Sequence, residues 1–540
     1  MDETKATRPA FAGYAQITNQ SIVAIRKSPI PILHLKPRIV TARKQNATSP
    51  LAADGSGWGP RLAQEARLRQ LEKMLVHRRS DVDAADTEIE RAVLLGALDR
   101  RQEAQQAFID ILQRLPTHFS ALNEFGTLLT SMGAIDAACR VYSEAITHHP
   151  ENPMGHVNLA NLLLRANEHE RARAHYEAAL KADPDHAGAH QGLGAVLADN
   201  GDRDGAQEHF RKGFRGHAIS TLPYRGTQPP IALLQLVSSG GGNIPTASFL
   251  DDCVFLTSVV VTDHLDPTLP LPPHQLIFNT IGDADLCEPA LEAATRLIAR
   301  SPAPVINDPR AVMKTGRISN AHRLGSVPGV VTPRTIAIPR DVLASPGGGE
   351  AIADHQFSFP LLLRSPGYHT GRNFIIVENA AGLSTAAASL PGSELLVIEY
   401  LDARGHDGSA RKFRVMMIGG SLYPLHLAIS RDWKVHYFTS DMADKPDHRL
   451  EEAKFLADMP AVLGEKATRA LEGIRDALGL DYAGIDFGVN ADGDLLLFEA
   501  NATMVIAVPD NDQRWAYRRT AITKILDAVV AMIRQKAAGA

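Results

Sequence analysis

Between about residues 60 and 216 the hydrophobic pattern is helical, and its helical stretches are ended by Pro116, Pro150 and Pro184, spaced by 34 residues. In the same frame Ala104, Ala138, Ala172 and Ala206 recur, as do Phe108, Tyr142, Tyr176 and Phe210, and Leu95, Leu129, Leu163 and Leu197. Small residues such as Gly126, Ala160 and Gly194 let two helices of one repeat approach closely, while the aromatic fills space toward the next repeat. A stretch from Leu62 to Val76 predicts one more helix, which caps the stack.

These positions resemble the tetratricopeptide repeat family over four repeats, residues 60–216. The resemblance implies an all-α solenoid with a concave groove for a protein or peptide partner. His156, His190 and the pair His148 and His149 read as groove or loop residues without chemistry.

After Arg215 the pattern changes. Pro, Gly and Thr gather in residues 217–229, which read as a linker. From residue 230 short apolar runs alternate with helical stretches: Ile231 to Val237, Cys253 to Val261, Leu276 to Phe278, a helix from Pro289 to Ala299, then Val305 and Ile306. This is an α/β pattern. The run Gly240-Gly241-Gly242-Asn243 after the first strand reads either as a plain loop or as one that cradles a substrate at the sheet edge.

Two later apolar runs carry the most informative polar residues. Gly484-Ile485-Asp486-Phe487 is followed by a turn, Asn490 to Asp494, and by Leu495 to Asn501, which predicts a hairpin. Side chains two apart on a strand share a face, so Glu499 and Asn501 point the same way and Asp486 can come alongside them. Such a cluster of hard oxygen donors suits Mg2+. An edge hairpin with polar caps is the structural alternative, disfavoured because acids in apolar strands are costly without partners. The turn lacks the spacing of a calcium loop.

Asp486, Glu499 and Asn501 resemble the metal motif of the ATP-grasp superfamily, and the resemblance extends over roughly residues 230–535. Val305 to Pro309, the helix Arg317 to Leu324, Gly325 to Pro328 and Thr332 to Thr335 look like the approach to the nucleotide site in glutathione synthetase and glutamate-adding ligases. The implied fold is an α/β (α+β) ATP-grasp fold, with an N-terminal subdomain over residues 230–310 and nucleotide-binding and catalytic subdomains over 311–540. Arg364, followed by a glycine loop through Gly367 to Gly371, would hold phosphates through N–H groups and a cation. Arg317 and Arg364 stand where the family often has lysine. Glu399, Tyr400 and Leu401, at the end of a strand, would meet the adenine edge, with Glu399 as a structural carboxylate in the alternative. Lys412 and Arg414, on one strand face, match the family's cations for the moving phosphoryl group, or else form an exposed ion-pairing strand. His426, Lys434 and His436 are further candidates for contact with a carboxylate substrate. After Asn501 the chain reads Ala-Thr-Met504, a departure from the peptide-forming members that points to a different acceptor pocket.

Composition narrows the partners. A formal net charge of -5 and 22% charged residues leave no global basic field, so nucleic acid is not expected. Cys139, Cys253 and Cys287 form no CxxC pair, which argues against a disulfide framework or zinc site and for a cytoplasmic location. Neither a membrane span nor a secretory signal is evident. Residues 1–59, with Lys5, Arg8, Arg26, Lys27, Lys36, Arg38, Arg43 and Lys44 against Asp2 and Glu3, read as a basic, loosely ordered arm. The expected function is an ATP- and Mg2+-dependent carboxylate–amine or carboxylate–thiol ligase. It would act through an acyl phosphate on a small-molecule or peptide carboxylate and release ADP and phosphate. The alternatives are a nucleotide-binding scaffold without turnover and an ATP-grasp kinase.

Overall fold

The computed structural model describes residues 59–76, 84–368, 371–437, 440–509 and 511–539. The basic arm, Gly59 apart, therefore lies outside the described residues. The chain divides into two compact units: residues up to Pro230 with Asp252–Leu256, and Ile231–Asp251 with Thr257–Ala540. Among the described residues no helix is long and apolar enough to cross a membrane.

The first unit is a stack of helices: α1 (Gly59–Val76), α2 (Ala85–Ala97), α3 (Arg101–Arg114), α4 (Phe119–Ser131), α5 (Ile135–His148), α6 (Pro153–Arg165), α7 (His169–Ala182), α8 (Ala187–Asp199) and α9 (Arg203–Phe214). The helices α2–α9 are the four expected repeats, and α1 is the extra helix. Three of the four turns into a first helix are capped in the same frame: His118, Asn152 and His186, again 34 residues apart, accept backbone N–H groups of α4, α6 and α8, whereas Ala84 before α2 offers no side-chain cap. The aromatics of the later three repeats take one of two places. Tyr142 and Phe210 lie over Gly126 and Gly194 of their own repeats, whereas Tyr176 lies over Gly192 of the next.

That last contact supports a prediction. A Cβ at Gly192 would come 2.1 Å from Cζ of Tyr176, a fully buried ring whose hydroxyl donates to Asn161 at 2.6 Å. Alanine gains about 1 kcal/mol of helix propensity over glycine, but overpacking costs about 1–3 kcal/mol. Gly192→Ala is expected to lower the urea midpoint of the repeats followed by far-ultraviolet circular dichroism. A raised midpoint would mean that the ring yields freely.

The segment expected as a linker holds more structure than its composition suggests. Ile219–Thr221 is a strand, Tyr224 is buried with its hydroxyl on the Cys253 carbonyl at 3.2 Å, and Arg225 pairs with Asp252 at 2.8 Å.

The second unit carries three sheets. In the first, Ile231–Val237, Leu276–Asn279 and Val305–Ile306 run parallel, with Phe255–Val261 flanking Ile231–Val237. The second is antiparallel, in the order Thr335–Pro339, Glu394–Glu399, Leu361–Arg364, Phe374–Val377. One of its faces packs Leu361, Leu363, Val397 and Leu383 into a core with three helices, and the other carries Leu362, Leu396, Ile398, Tyr400 and Trp433. The third sheet runs Ser421–Ser430, Ala410–Ile418, Tyr482–Val489, Leu495–Asn501, Val330–Val331.

One residue fastens the first sheet to the third. Asn307, fully buried with φ +57°, accepts the N–H groups of Asp481 and Tyr482 at 3.0 and 2.9 Å and donates to the Tyr482 carbonyl at 2.8 Å. Asparagine tolerates that left-handed backbone better than most residues.

Candidate functional site

The expected hairpin is present: Tyr482–Val489 pairs antiparallel with Leu495–Asn501, and Gly493, with φ +77°, turns the chain between them. The register sets Asp486 directly opposite Glu499. On the other side Asp486 faces Arg414, and Arg414 in turn faces His426. Cross-strand neighbours share a face. Four strands therefore bear one transverse row: His426, Arg414, Asp486, Glu499.

Both acids in this row are matched by cations. Arg414 grips Asp486 with two bonds, Nε to Oδ1 at 2.5 Å and Nη2 to Oδ2 at 2.7 Å, and Lys412 Nζ lies 3.1 Å from Oδ2. Burial opposes the charge of Asp486, but Arg414 and Lys412 outweigh it and hold the carboxyl well below the usual carboxylate range. Glu499 Oε1 accepts from Arg317 Nη2 at 2.5 Å and from Asn501 Nδ2 at 3.0 Å. Here too burial pushes upward, yet Arg317 and Arg364 prevail and the net shift is downward. At the far end, burial first and then Arg414 and Arg518 push His426 well below its ordinary range. Its ring is neutral at pH 7 and packs on Tyr437 with centroids 4.7 Å apart.

Arg317 reaches the row from the helix Arg317–Leu324, as its expected bounds had it. The residue before that helix, Gly316, has no side-chain oxygen to cap it. The Arg317 N–H instead donates to Asp285 Oδ2 at 3.1 Å, a cap borrowed from the loop that follows Leu276–Asn279. One turn on, Asn320 donates to the Ala500 carbonyl at 2.6 Å, so two groups on one helix face hold the end of the Leu495–Asn501 strand. The same loop contributes Gly282, where a Cβ would meet the Ala502 carbonyl carbon at 2.8 Å and the Thr503 nitrogen at 2.9 Å. Backbone meets backbone there, and only glycine fits.

Arg364 ends its strand on the face that carries Leu362 and Leu396. Its guanidinium bonds the Tyr368 carbonyl and lies 5.4 Å from the centre of the Phe374 ring. Burial, then Arg317, lower its pKa to about 10, still charged at neutral pH. Among the described residues no carboxylate pairs with it. The glycine loop beyond it has Gly367 and Gly371 at φ +78° and +71°, and Lys434 binds the Gly371 and Phe374 carbonyls, the second at 3.2 Å. His369 and Thr370 of that loop lie outside the described residues.

A narrow cleft opens between the second and third sheets, bounded by Thr335 and Ile398 on one side, Leu497, Glu499 and Asn501 on the other, and Arg317. Glu399 spends Oε2 on the Arg334 N–H at 3.1 Å, a structural role, while Tyr400 packs against the Leu362 and Ile398 cluster and Leu401 is half-buried.

The Gly240–Asn243 run is tightly held. Asn243 accepts from Ser238 N and donates to Ser238 O, both at 2.8 Å, and Gly242 abuts Cys287 and Asp283. The loop acids Asp283 and Asp285, the helix residue Asn320 and the strap Asn307 were not singled out for these roles, because each finds its partner across a long stretch of sequence.

Asp486, Glu499 and Asn501 fit a hard divalent ion in donor type, and unequally in what they have to offer. Both oxygens of Asp486 are taken by Arg414 and Lys412, and Asn501 Oδ1 accepts from Thr503 N and Oγ1 at 3.0 and 2.9 Å. Glu499 keeps Oε2 outside its bonds to Arg317 and Asn501, and is the member best placed to ligate.

Comparison with known proteins bears on the helical unit. A family model for the tetratricopeptide repeat matches residues 157–213. The Uncharacterized protein y4yS of Sinorhizobium fredii (strain NBRC 101917 / NGR234) is 35% identical over 98 residues, 18% of this chain and 52% of that protein. The chain thus spans about half the length of that relative. Among solved structures, MamA from Desulfovibrio magneticus RS-1 is 24% identical, covering 28% of this chain and 84% of its own at a TM-score of 0.25. A structure titled for Pseudomonas aeruginosa pilF is 20% identical, covering 28% and 71% at a TM-score of 0.26. The matched family and the 34-residue frame make the helical unit a tetratricopeptide repeat array, and such repeats suggest a protein partner.

Proposed function

We propose that the second unit is an ATP- and Mg2+-dependent ligase of ATP-grasp type, which activates a carboxylate as an acyl phosphate for attack by an amine or thiol, and that the repeats recruit a peptide or protein partner. The observation that carries this reading is the ionic row meeting the cleft: Glu499 and Asn501 line the cleft, with Arg317 beside them and Asp486, Arg414 and Lys412 behind. The chain's part is positioning and charge neutralisation. Ile398 and the apolar face around it suit an aromatic base. Arg364, a cation with no carboxylate of its own among the described residues, suits phosphate oxygens. Arg317 is placed to pass from Glu499 to an incoming anion, and Lys412 holds the weaker end of its triad and can turn toward a phosphoryl group. Mg2+, when bound at Glu499, would neutralise charge on the phosphates.

One observation favours a second reading. Both acids are already neutralised by arginine, as a domain that only binds nucleotide, or nothing, could also have them. Calorimetry with ATP and Mg2+ separates the two. Glu499→Ala is expected to weaken ATP binding at least tenfold relative to the intact site, and the unaltered protein to release ADP when a suitable carboxylate and amine are both supplied. Equal binding by both proteins, or none by either, would sink the ligase reading.

A further inference from the structure

The repeats contain a second recurring motif, made of three parts in the same 34-residue frame. His156 Nδ1 lies 3.0 Å from His175 Nδ1, and His156 Nε2 lies 3.2 Å from the Pro150 carbonyl. One repeat later His190 Nδ1 lies 2.8 Å from His209 Nδ1, and His190 Nε2 lies 2.9 Å from the Pro184 carbonyl. Each pair joins the two helices of one repeat, α6 to α7 and α8 to α9.

The proline carbonyls fix the protons. A carbonyl only accepts, so His156 and His190 carry hydrogen on Nε2 and present a lone pair at Nδ1. The proton between each pair therefore belongs to His175 or His209. A ring that gives its far N–H to a backbone carbonyl and turns its other nitrogen outward is oriented as metal-bound histidines are. Two nitrogens bound at about 2.0–2.1 Å and at the right angle of square-planar or tetragonal Cu2+ and Ni2+ lie about 2.9 Å apart, and the two observed separations, 3.0 and 2.8 Å, bracket that value.

We propose that His156 with His175, and His190 with His209, form two equivalent two-imidazole sites for a tetragonal transition-metal ion such as Cu2+ or Ni2+, each clipping together the helices of one repeat. Imidazole suits these ions. Loading needs no net release of protons: His175 or His209 moves its proton from Nδ1 to Nε2 by exchange with water, and both Nδ1 lone pairs then face the ion. His175 and His209 are half-buried, so water reaches them. This inference is independent of the nucleotide site.

The test is a Cu2+ titration of the full chain, prepared without a histidine tag, followed by electron paramagnetic resonance. Two equivalents are expected to bind, each showing two nitrogen ligands, with a rise in the midpoint of thermal unfolding. His209→Asn keeps a donor to His190 but removes the ligand, and is expected to cost one equivalent. Adding His175→Asn is expected to cost the other, with the far-ultraviolet spectrum unchanged. Retention of both equivalents in the double variant, or copper bound to fewer than two nitrogens in the unaltered protein, overturns the proposal whether or not the variants fold.

Discussion

Asp486→Ala is expected to destabilise the second unit by about 3–5 kcal/mol, as removal of one partner from a buried ion pair does. The carboxylate is 4% exposed in its side chain and answers two cations, Arg414 and Lys412, at 20% and 17%. Taking it away leaves two charges facing apolar strands. Urea unfolding followed at the tryptophans measures the loss. The companion experiment is Asp486→Leu with Arg414→Met, which removes the pair together and should recover much of the stability, since replacing a buried pair by apolar groups is often neutral. A single-variant cost below about 1 kcal/mol would place the row in the class of solvated surface bridges.

The same carboxylate sets an acid limit. Its native pKa lies below its unfolded value, so its contribution is complete above the ordinary carboxylate range and is lost as pH falls below that range toward the native value. Asp486→Asn should flatten the dependence of stability on pH below about 4.

Asn307→Ala is expected to cost about 3–5 kcal/mol, because it strands two backbone N–H groups and one carbonyl at roughly 1–3 kcal/mol each before water relieves any of them. Alanine must also hold the positive φ. Asn307→Gly removes only that strain and keeps the hydrogen-bond loss, so the two variants should differ by about 1–2 kcal/mol. Amide exchange at Asp481 and Tyr482 reads the effect where it arises. Protection unchanged at both amides in the alanine variant would show that the sheets are joined by other means.

Much of this architecture is legible along the chain because it is periodic or local. The 34-residue frame gives the four repeats, and the alternation around Asp486 and Glu499 gives the hairpin. What stays hidden is the pairing of charges. Arg414 meets Asp486 72 residues away and Arg317 meets Glu499 182 away; strand order decides the first meeting and the docking of the helix Arg317–Leu324 the second. Three acids and amides that read as one ligand set are thereby found divided, with Asp486 and Asn501 engaged inside the protein and Glu499 partly free. Tyr224 shows the reverse error: Pro and Gly around it signal a linker, yet one buried ring with a bonded hydroxyl orders the segment. The histidine pairs could have been seen, since His156 and His190, and His175 and His209, obey the repeat frame. Reading each histidine singly concealed that.

The borrowed cap of Arg317–Leu324 bears on the sequence of folding events. An eight-residue helix with glycine before it is too short to persist in water, where isolated helices need about 12–15 residues. It gains its start only once Leu276–Asn279 has joined the parallel sheet and brought Asp285 into place. Its far anchors, Glu499 and Ala500, arrive only when the closing hairpin has been synthesised. During vectorial synthesis the cationic side of the cleft therefore stays unformed until Glu499 and Ala500 have emerged, so a nascent chain that stops short of them presents no assembled cleft.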